Sequence, residues 1–369
     1  MKRRCLVVSA VNLVEGGPLT VLRNFIDSAC AVLPPEWDIV VFVNNTALIT
    51  AARARTIAIP YAKRNWLLRL WVEWFEFKDR AAQLSPDLWV SLHDMSPNVG
   101  RVRQAVYCHN ATPFFATRVR DVLFQPKQFF FRVAYAFLYR IRLNRNCAVI
   151  VQQSWMRDAF RKWLRGNTDI IVAHPVERMA GDAPTIRWHR TAEPATFIYP
   201  TLARPFKNLE LVCRAVETLE RGSSWRGRVV LTVDATENRY GHWLKKRFGQ
   251  LKTVQFVGRQ TRAQMQQWYV EADCLLFTSR MESWGLPMTE AKQRGLPMFV
   301  SDFPFARETV GDYDAADFVD PADHLGLAAK MLAFQQGTFE FQPARFAAPA
   351  QPFAPDWESL LQQLMRYAD

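Results

Sequence analysis

Short apolar runs alternate with helix-length amphipathic stretches along nearly the whole chain, and this alternation leaves room for little besides layered α/β architecture with mainly parallel sheets. The first series is "RCLVVSAV", "DIVVFVN", "DLWVSLHD", "RQAVYCHN" and "CAVIVQQS"; the second restarts at "ATFIYPT" and continues through "RVVLTVD", "TVQFVG", "CLLFTS", "PMFVSD" and "ADFVDP". Each series is expected to form one doubly wound, Rossmann-like sheet. Between them "HPVERMAGDAPTIRWHRTAEP" (174–194) carries Pro, Gly and charge without periodicity and reads as a linker. Domains over 1–175 and 190–345 follow, which suits a chain of 369 residues. A Pro- and Ala-rich stretch, "FQPARFAAPAQPFAPD", then spaces a final helix (355–369) away from the second domain, and that helix is expected to return to the first. Two such domains facing each other leave a central cleft, and ligands of open α/β sheets sit beyond the carboxyl ends of the strands.

Several function classes lack their necessary parts. The start, "MKRRCLVVSAVNLVEGG", imitates a signal peptide, but no small-residue cleavage site follows and Glu15 interrupts, so a first strand is expected. The most membrane-like run, "FFFRVAYAFLYRI", contains Arg132 and Arg140 and falls short of the ~18 apolar residues that a span requires. Cys5, Cys30, Cys108, Cys147, Cys213 and Cys274 lie far apart, as reduced core thiols of a cytoplasmic protein would. No H-E-x-x-H, C-x-x-C, G-x-S-x-G or Walker loop occurs, which removes metal hydrolase, thiol redox, serine hydrolase and P-loop chemistry. The one D-x-D, Asp312 and Asp314 in "GDYD", falls on an expected surface loop. No essential metal and no cofactor is expected.

The net charge of +12 is unevenly placed: residues 1–195 hold 27 Lys and Arg against 15 Asp and Glu, and the remainder holds 20 against 20. From Arg118 to Arg165 there are 11 basic residues and 2 acidic ones, interleaved with Phe129, Phe130, Phe131, Tyr135, Phe137, Tyr139, Trp155 and Trp163. That mixture suits a surface resting on anionic lipid headgroups, where each Lys or Arg contributes about 1 kcal/mol. It equally suits a solvated helix face whose aromatics point into the core.

The stretch "SRMESWGLPMTEAKQRGLPMFVSD" (279–302) concentrates chemistry at one corner. Pro287 fits the first helical turn because its missing N–H would be unpaired there anyway, and Gly295 ends the helix about two turns on. The N–H groups of 285, 286 and 288 are expected to be free and, with the helix dipole, to attract a phosphate. Glu282 and Glu290 flank that position, where carboxylates would accept hydrogen bonds from hydroxyls. Acids near a helix start also stabilise it by about 0.3–1 kcal/mol with no ligand present.

Glu282, seven intervening residues and Glu290, with "WGLP" and "AKQRGLPMFVSD", resemble the E-x7-E signature of family 4 glycosyltransferases, a retaining family of bacterial polysaccharide biosynthesis with the two-domain GT-B fold. "VQFVGRQTRAQMQQWYVEADCLLFTS" upstream and "FARETVGD" and "FVDPAD" downstream resemble its flanking segments, densely from about 196 to 325. The resemblance implies that Glu290 binds the nucleotide ribose and Glu282 the transferred sugar. Ser283, Trp284 and the backbone of Gly285 and Leu286 would line the sugar and phosphate, and Gly258 would lie near the base. In "YPTLARPFKNLELVCRAVETL" it implies that Lys207 neutralises the diphosphate, with Arg204 a candidate for the second cation although it stands closer to Lys207 than is usual. In "VNLVEGGPLTVL" it implies a Gly-rich loop at Gly16 and Gly17. In "YCHNATPFF" it implies that His109 contacts the donor sugar near the reacting centre, with His93 of "SLHDMSP" a second candidate.

The resulting expectation is a retaining hexosyltransferase. Its donor is a nucleotide sugar, its acceptor a saccharide, lipid-linked in surface polysaccharide assembly, and its location the cytoplasm or the inner face of the membrane. The alternatives are a GT-B-fold epimerase or phosphorylase and, from another class, a basic nucleic-acid-binding protein.

Overall fold

The strands form two separate parallel sheets, and every strand pairing among the described residues is parallel. The computed structural model describes residues 3–116, 118–166, 168–176, 185–187, 194–222, 224–342 and 345–368. The first sheet contains β1 (Arg4–Ser9), β2 (Trp37–Val43), β3 (Ala54–Ala58), β4 (Leu88–Ser91), β5 (Gln104–Cys108), β6 (Ala148–Val151) and β7 (Asp169–Ala173). The second contains β8 (Thr196–Tyr199), β9 (Arg228–Leu231), β10 (Val254–Phe256), β11 (Cys274–Phe277), β12 (Met298–Ser301) and β13 (Ala316–Val319). A last short strand, β14 (Phe353–Ala354), returns to the first sheet beside β7. The spatial orders are β14-β7-β6-β5-β4-β1-β2-β3 and β10-β9-β8-β11-β12-β13. Both reverse direction beside their own first strand, between β1 and β4 and between β8 and β11, and the second is the doubly wound order of dinucleotide-binding sheets.

Burial on both faces explains the nearly continuous apolar strands. In β1, Leu6 and Val8 join one cluster, with Phe25 and Trp357, while Val7 joins another, with Phe77 and Trp89. The chain divides into two units, Met1–Phe114, Phe131–Ala180 and Pro349–Asp369 in the first, and Phe115–Phe130 and Gly181–Ala348 in the second. Most of the linker expected at 174–194 lies outside the described residues. Residues 115–130, placed by the sequence in a domain of 1–175, group with the second unit. Asp121 pairs there with buried Arg280 at 2.7 Å, and the Phe124 ring meets Tyr240 at 5.4 Å.

The basic and aromatic stretch separates by orientation. Tyr135, Tyr139 and Phe160 are buried, with Phe114 stacked on Trp163 at 4.6 Å, whereas Phe130 and Phe137 remain exposed. All six cysteines are unpaired. No helix among the described residues is long and apolar enough to cross a membrane.

The final helix, Trp357–Met365, lies in the first unit. Buried Trp357 meets Phe25 edge-on at 5.8 Å and Tyr107 at 5.6 Å, and its backbone N–H donates to the Val176 carbonyl. Trp357→Ala is expected to destabilise this unit by about 3–5 kcal/mol, read by urea denaturation; a loss under ~1 kcal/mol would mean the tail is not part of its core.

Candidate functional site

At the reversal of the second sheet, the loops leaving β8 and β11 are stitched together. The Tyr199 hydroxyl, at the end of β8, donates to the Lys207 carbonyl at 2.7 Å. The Thr278 hydroxyl, just after β11, donates to the Asn208 carbonyl at 3.2 Å, and the Arg280 N–H donates to the Phe206 carbonyl at 2.7 Å. Arg280 also donates through Nη2 to the Pro205 carbonyl at 3.0 Å. Asn208 turns the chain in left-handed geometry at φ 55°, which Asn tolerates, and the helix Leu209–Glu220 starts directly after it. These bonds bring Lys207 and Glu282 together across 75 residues of sequence, with Nζ 2.5 Å from Oε1. Both side chains are mostly buried, and the ammonium also lies 5.4 Å from the Phe206 and Phe277 ring centres. A cation and a carboxylate at the carboxyl edge of a sheet reversal can receive opposite ends of a ligand carrying both phosphate and hydroxyl groups.

The corner after Glu282 has a steric basis. Gly285 adopts φ 91°, and a Cβ there would come within 2.5 Å of Met288 Cε and 3.2 Å of the Phe277 ring. Pro287 lies in the first turn of the helix Leu286–Lys292, and Gly295, at φ 64°, follows its end. One expectation fails. The Met288 N–H is spent on the Gly285 carbonyl at 2.9 Å, because the chain closes a turn there, so 288 offers no free donor. The amides of Gly285 and Leu286 have no partner among the described residues. Trp284 is buried, and its indole N–H donates to the Thr289 hydroxyl at 2.8 Å. Ser283 is half-buried beside it. Glu290 accepts at 2.6 Å from the hydroxyl of buried Tyr269, which burial and then the Glu290 charge keep protonated.

Other expected residues are dispersed. Arg204 Nη2 is turned to Glu237 Oε1 at 3.2 Å. Gly258 has φ 72° with open space where a Cβ would be, so backbone conformation favours glycine there. Asp312 and Asp314 are engaged separately, by the Phe346 N–H at 3.0 Å and by Arg345 at 3.2 Å.

In the first unit, the loops after β1, β4 and β5 carry Gly16 and Gly17, His93 and Asp94, and His109. Gly16 is exposed at φ 63° where the helix Gly16–Val32 begins, and Gly17 follows it. His109 is partly buried, with Nδ1 3.5 Å from Asp94 Oδ1, a distance of electrostatic contact rather than hydrogen bonding. His93 is buried instead. Its Nε2 lies 2.8 Å from Glu73 Oε1, close enough for an ion pair but outside hydrogen-bonding geometry. Burial holds the His93 pKa below its usual value against the pull of Glu73. Its ring has almost no surface to offer a ligand.

Sequence reasoning passed over Asp94, which organises this edge. Its carboxylate accepts from the N–H groups of His109 (2.7 Å) and Asn110 (3.1 Å) and from the hydroxyls of Tyr139 (2.7 Å) and Tyr135 (3.3 Å). Burial, then the Asp94 charge, keeps both tyrosines protonated as donors. The backbone of Asp94 is left-handed at φ 72°. Its position beside His93 at a strand end was the available signal. Arg280 was also passed over, since nothing in a lone loop arginine announces burial.

Comparison with known proteins agrees with this architecture. Residues 186–340, less than half of the chain, match the family described as glycosyl transferases group 1. Sucrose-phosphate synthase from Thermosynechococcus elongatus superposes with a TM-score of 0.63 at 17% identity, covering 90% of this chain and 92% of that one. The lipopolysaccharide outer core galactosyltransferase WaaB, in its apo form, gives 0.61 at 15% identity, with 92% of each chain covered. Anabaena Alr3699/HepE in complex with UDP gives 0.56 at 16% identity, with 98% of each covered. No curated protein is significantly similar in sequence. The fold is therefore GT-B.

Asp94→Ala would take the acceptor from the His109 N–H and the Tyr135 hydroxyl, while the Asn110 N–H keeps the Tyr139 hydroxyl and that hydroxyl keeps the Asn110 carbonyl. A loss of about 1–3 kcal/mol in urea denaturation is expected, and a change under ~0.5 kcal/mol would deny Asp94 this organising role.

Proposed function

We propose that the protein is a glycosyltransferase that moves a hexose from a nucleotide-sugar donor, bound mainly by the second unit, to a saccharide acceptor, bound mainly by the first. The observation that carries this reading is the Lys207–Glu282 pair at the sheet reversal, inside the segment that matches group 1 glycosyl transferases. Relatives in fold bind UDP, or UDP and glucose, which supports a donor of that chemical type.

In this reading Lys207 turns part of its charge from Glu282 to the diphosphate and stabilises the negative charge that develops on the departing nucleotide. Arg204, released from Glu237, is a second cation. Glu282 accepts from the sugar hydroxyls, and Ser283, Trp284, Gly285 and Leu286 line the sugar and phosphate. Glu290, fixed by Tyr269, accepts from the ribose, and Gly258 leaves room for the base. His109, set by Asp94, contacts the sugar near its reacting carbon, with Gly16 and Gly17 as a bare loop beside the donor. Transfer with retention would let the acceptor hydroxyl pass its proton to a donor phosphate oxygen, so that no side-chain base is required. Protein cations take up the diphosphate charge, and no divalent metal is assigned. The acceptor is lipid-linked, belonging to surface polysaccharide assembly, and the basic stretch from Arg118 to Arg165 contacts the anionic inner face of the membrane.

Thermal unfolding across a set of nucleotide sugars tests the donor class. A true donor at 100 times its dissociation constant stabilises by about 2.7 kcal/mol, and a flat response to all would reject the reading. Glu290→Gln removes a charged acceptor and should weaken donor binding by about 1.5–3 kcal/mol in calorimetry, whereas unchanged affinity would remove Glu290 from the ribose. Lys207→Ala should lower turnover by about a hundredfold or more, a larger effect than its loss of folding stability; a normal rate would exclude it from the site. Turnover should persist in EDTA, and its loss with recovery on adding Mg²⁺ or Mn²⁺ would show that a metal takes up the charge.

A further inference from the structure

One helical run in the first unit buries charged side chains and exposes an apolar stripe. It comprises the helix Trp66–Trp71, a π-helical turn Val72–Glu76 and the helix Phe77–Leu84. Its buried side carries Arg69, Glu73 and Glu76 beside Val72, Phe77 and Ala81, with Arg69 Nε donating to Glu73 Oε1 at 2.7 Å and the Tyr61 hydroxyl donating to Glu76 Oε2 at 2.6 Å. Its outward side is apolar: Leu67 is 80% exposed, Phe75 61%, Trp71 49%, and Trp66 is also exposed. The wider π turn keeps Leu67, Trp71 and Phe75, four residues apart, more nearly in line than an α-helix would. Water alone favours the opposite arrangement, so an apolar stripe of this size marks a covered surface.

The stripe is extended by a neighbour. The Trp66 ring rests 6.2 Å from Phe131 and 6.0 Å from Tyr135 of the helix Pro126–Arg140, which exposes Val133 and, four residues on, Phe137 (65%). Exposed Lys63, Arg64 and Lys78 flank the inverted run, against the exposed acid Asp79. A rim of cations around Trp, Leu and Phe matches an anionic bilayer, with tryptophans at headgroup depth and Leu67 and Phe75 among the acyl chains. A second copy of the chain would instead bring two like-charged rims together.

We propose that the outward face of residues 66–77, continued by Val133 and Phe137, inserts into the surface of an anionic lipid bilayer. The proposal rests on the membrane reading given above for the nature of the partner. It assigns the main apolar anchor to residues 66–77, outside the basic stretch, and the tested residues Leu67 and Phe75 lie there, so the two fail separately.

The test is co-sedimentation of the full chain with vesicles of phosphatidylglycerol and phosphatidylcholine, and of phosphatidylcholine alone, at low and high salt. Wild type should bind the anionic vesicles and keep part of that binding at high salt. Leu67→Ser with Phe75→Ser should lower partitioning by about tenfold or more and abolish the salt-resistant part. Lys127→Glu with Arg145→Glu should reduce binding at low salt only. Leu67→Ser alone, at the most exposed position, guards against misfolding, and unchanged thermal midpoints confirm intact variants. Binding of the Leu67/Phe75 variant equal to wild type would overturn the proposal, and a simultaneous loss in the Lys127/Arg145 variant would leave the basic-stretch reading standing. No binding by wild type would overturn both. Conversion of a wild-type dimer to a monomer by Leu67→Ser and Phe75→Ser would overturn it in favour of a second copy.

Discussion

The parallel pairing of β8 with β11 is the constraint on which the candidate site depends. Cys274 lies beside Phe197 and Leu275 beside Ile198, so two strands far apart in sequence end side by side. Their loops cannot both go the same way over the sheet, because β9 and β12 take the connections to opposite sides. The space left at such a reversal is where backbone can meet a ligand. Here it is narrowed by hydrogen bonds from Tyr199, Thr278 and Arg280 to the 205–208 loop, which hold that loop against the start of the Glu282 corner. Lys207 and Glu282 therefore meet in a fixed frame, not at the ends of two free side chains.

Buried charge recurs at several edges of this molecule, and in each case the compensation is local. Asp94 is matched by four donors, and Arg280 by Asp121 and a carbonyl. Glu73 is opposed by burial, yet the neighbouring His93 and Arg69 outweigh that and hold its carboxyl below the usual range. A buried ion is tolerated only when its partners are already positioned, since desolvation otherwise exceeds the Coulombic gain. The inverted helix follows the same rule. Glu76 is met inward by Tyr61 and Arg80 and one Glu73 oxygen by Arg69, while Leu67, Trp71 and Phe75 face out.

Much of this was legible beforehand. All eleven expected strands are present, because a strand buried on both faces writes itself as an unbroken apolar run. Three strands were not foreseen. Ala54–Ala58 is a half-exposed edge, Asp169–Ala173 is a short apolar run placed after the turn at Gly166, and Phe353–Ala354 has no strand character apart from the neighbour it pairs with. At the site, Glu282, Gly285 and Glu290 could be found from spacing and turn chemistry, and Lys207 from the segment it shares with a known family. That Lys207 pairs with Glu282 and Tyr269 with Glu290 could not, as contacts across long separations leave no periodic trace.

The sequence by itself determined which residues share a strand or a helix face, where glycine and proline must punctuate the chain, and which segment carries the acids and the cation. Those are short-range consequences of backbone geometry. Only the tertiary structure decided that Lys207 reaches Glu282, that residues 115–130 group with the second unit, that His93 is sealed while His109 is not, and that "NWLLRLWVEWFEF" turns its charges inward. Periodicity states that two faces differ, and the free energy of packing against distant elements decides which of them meets water.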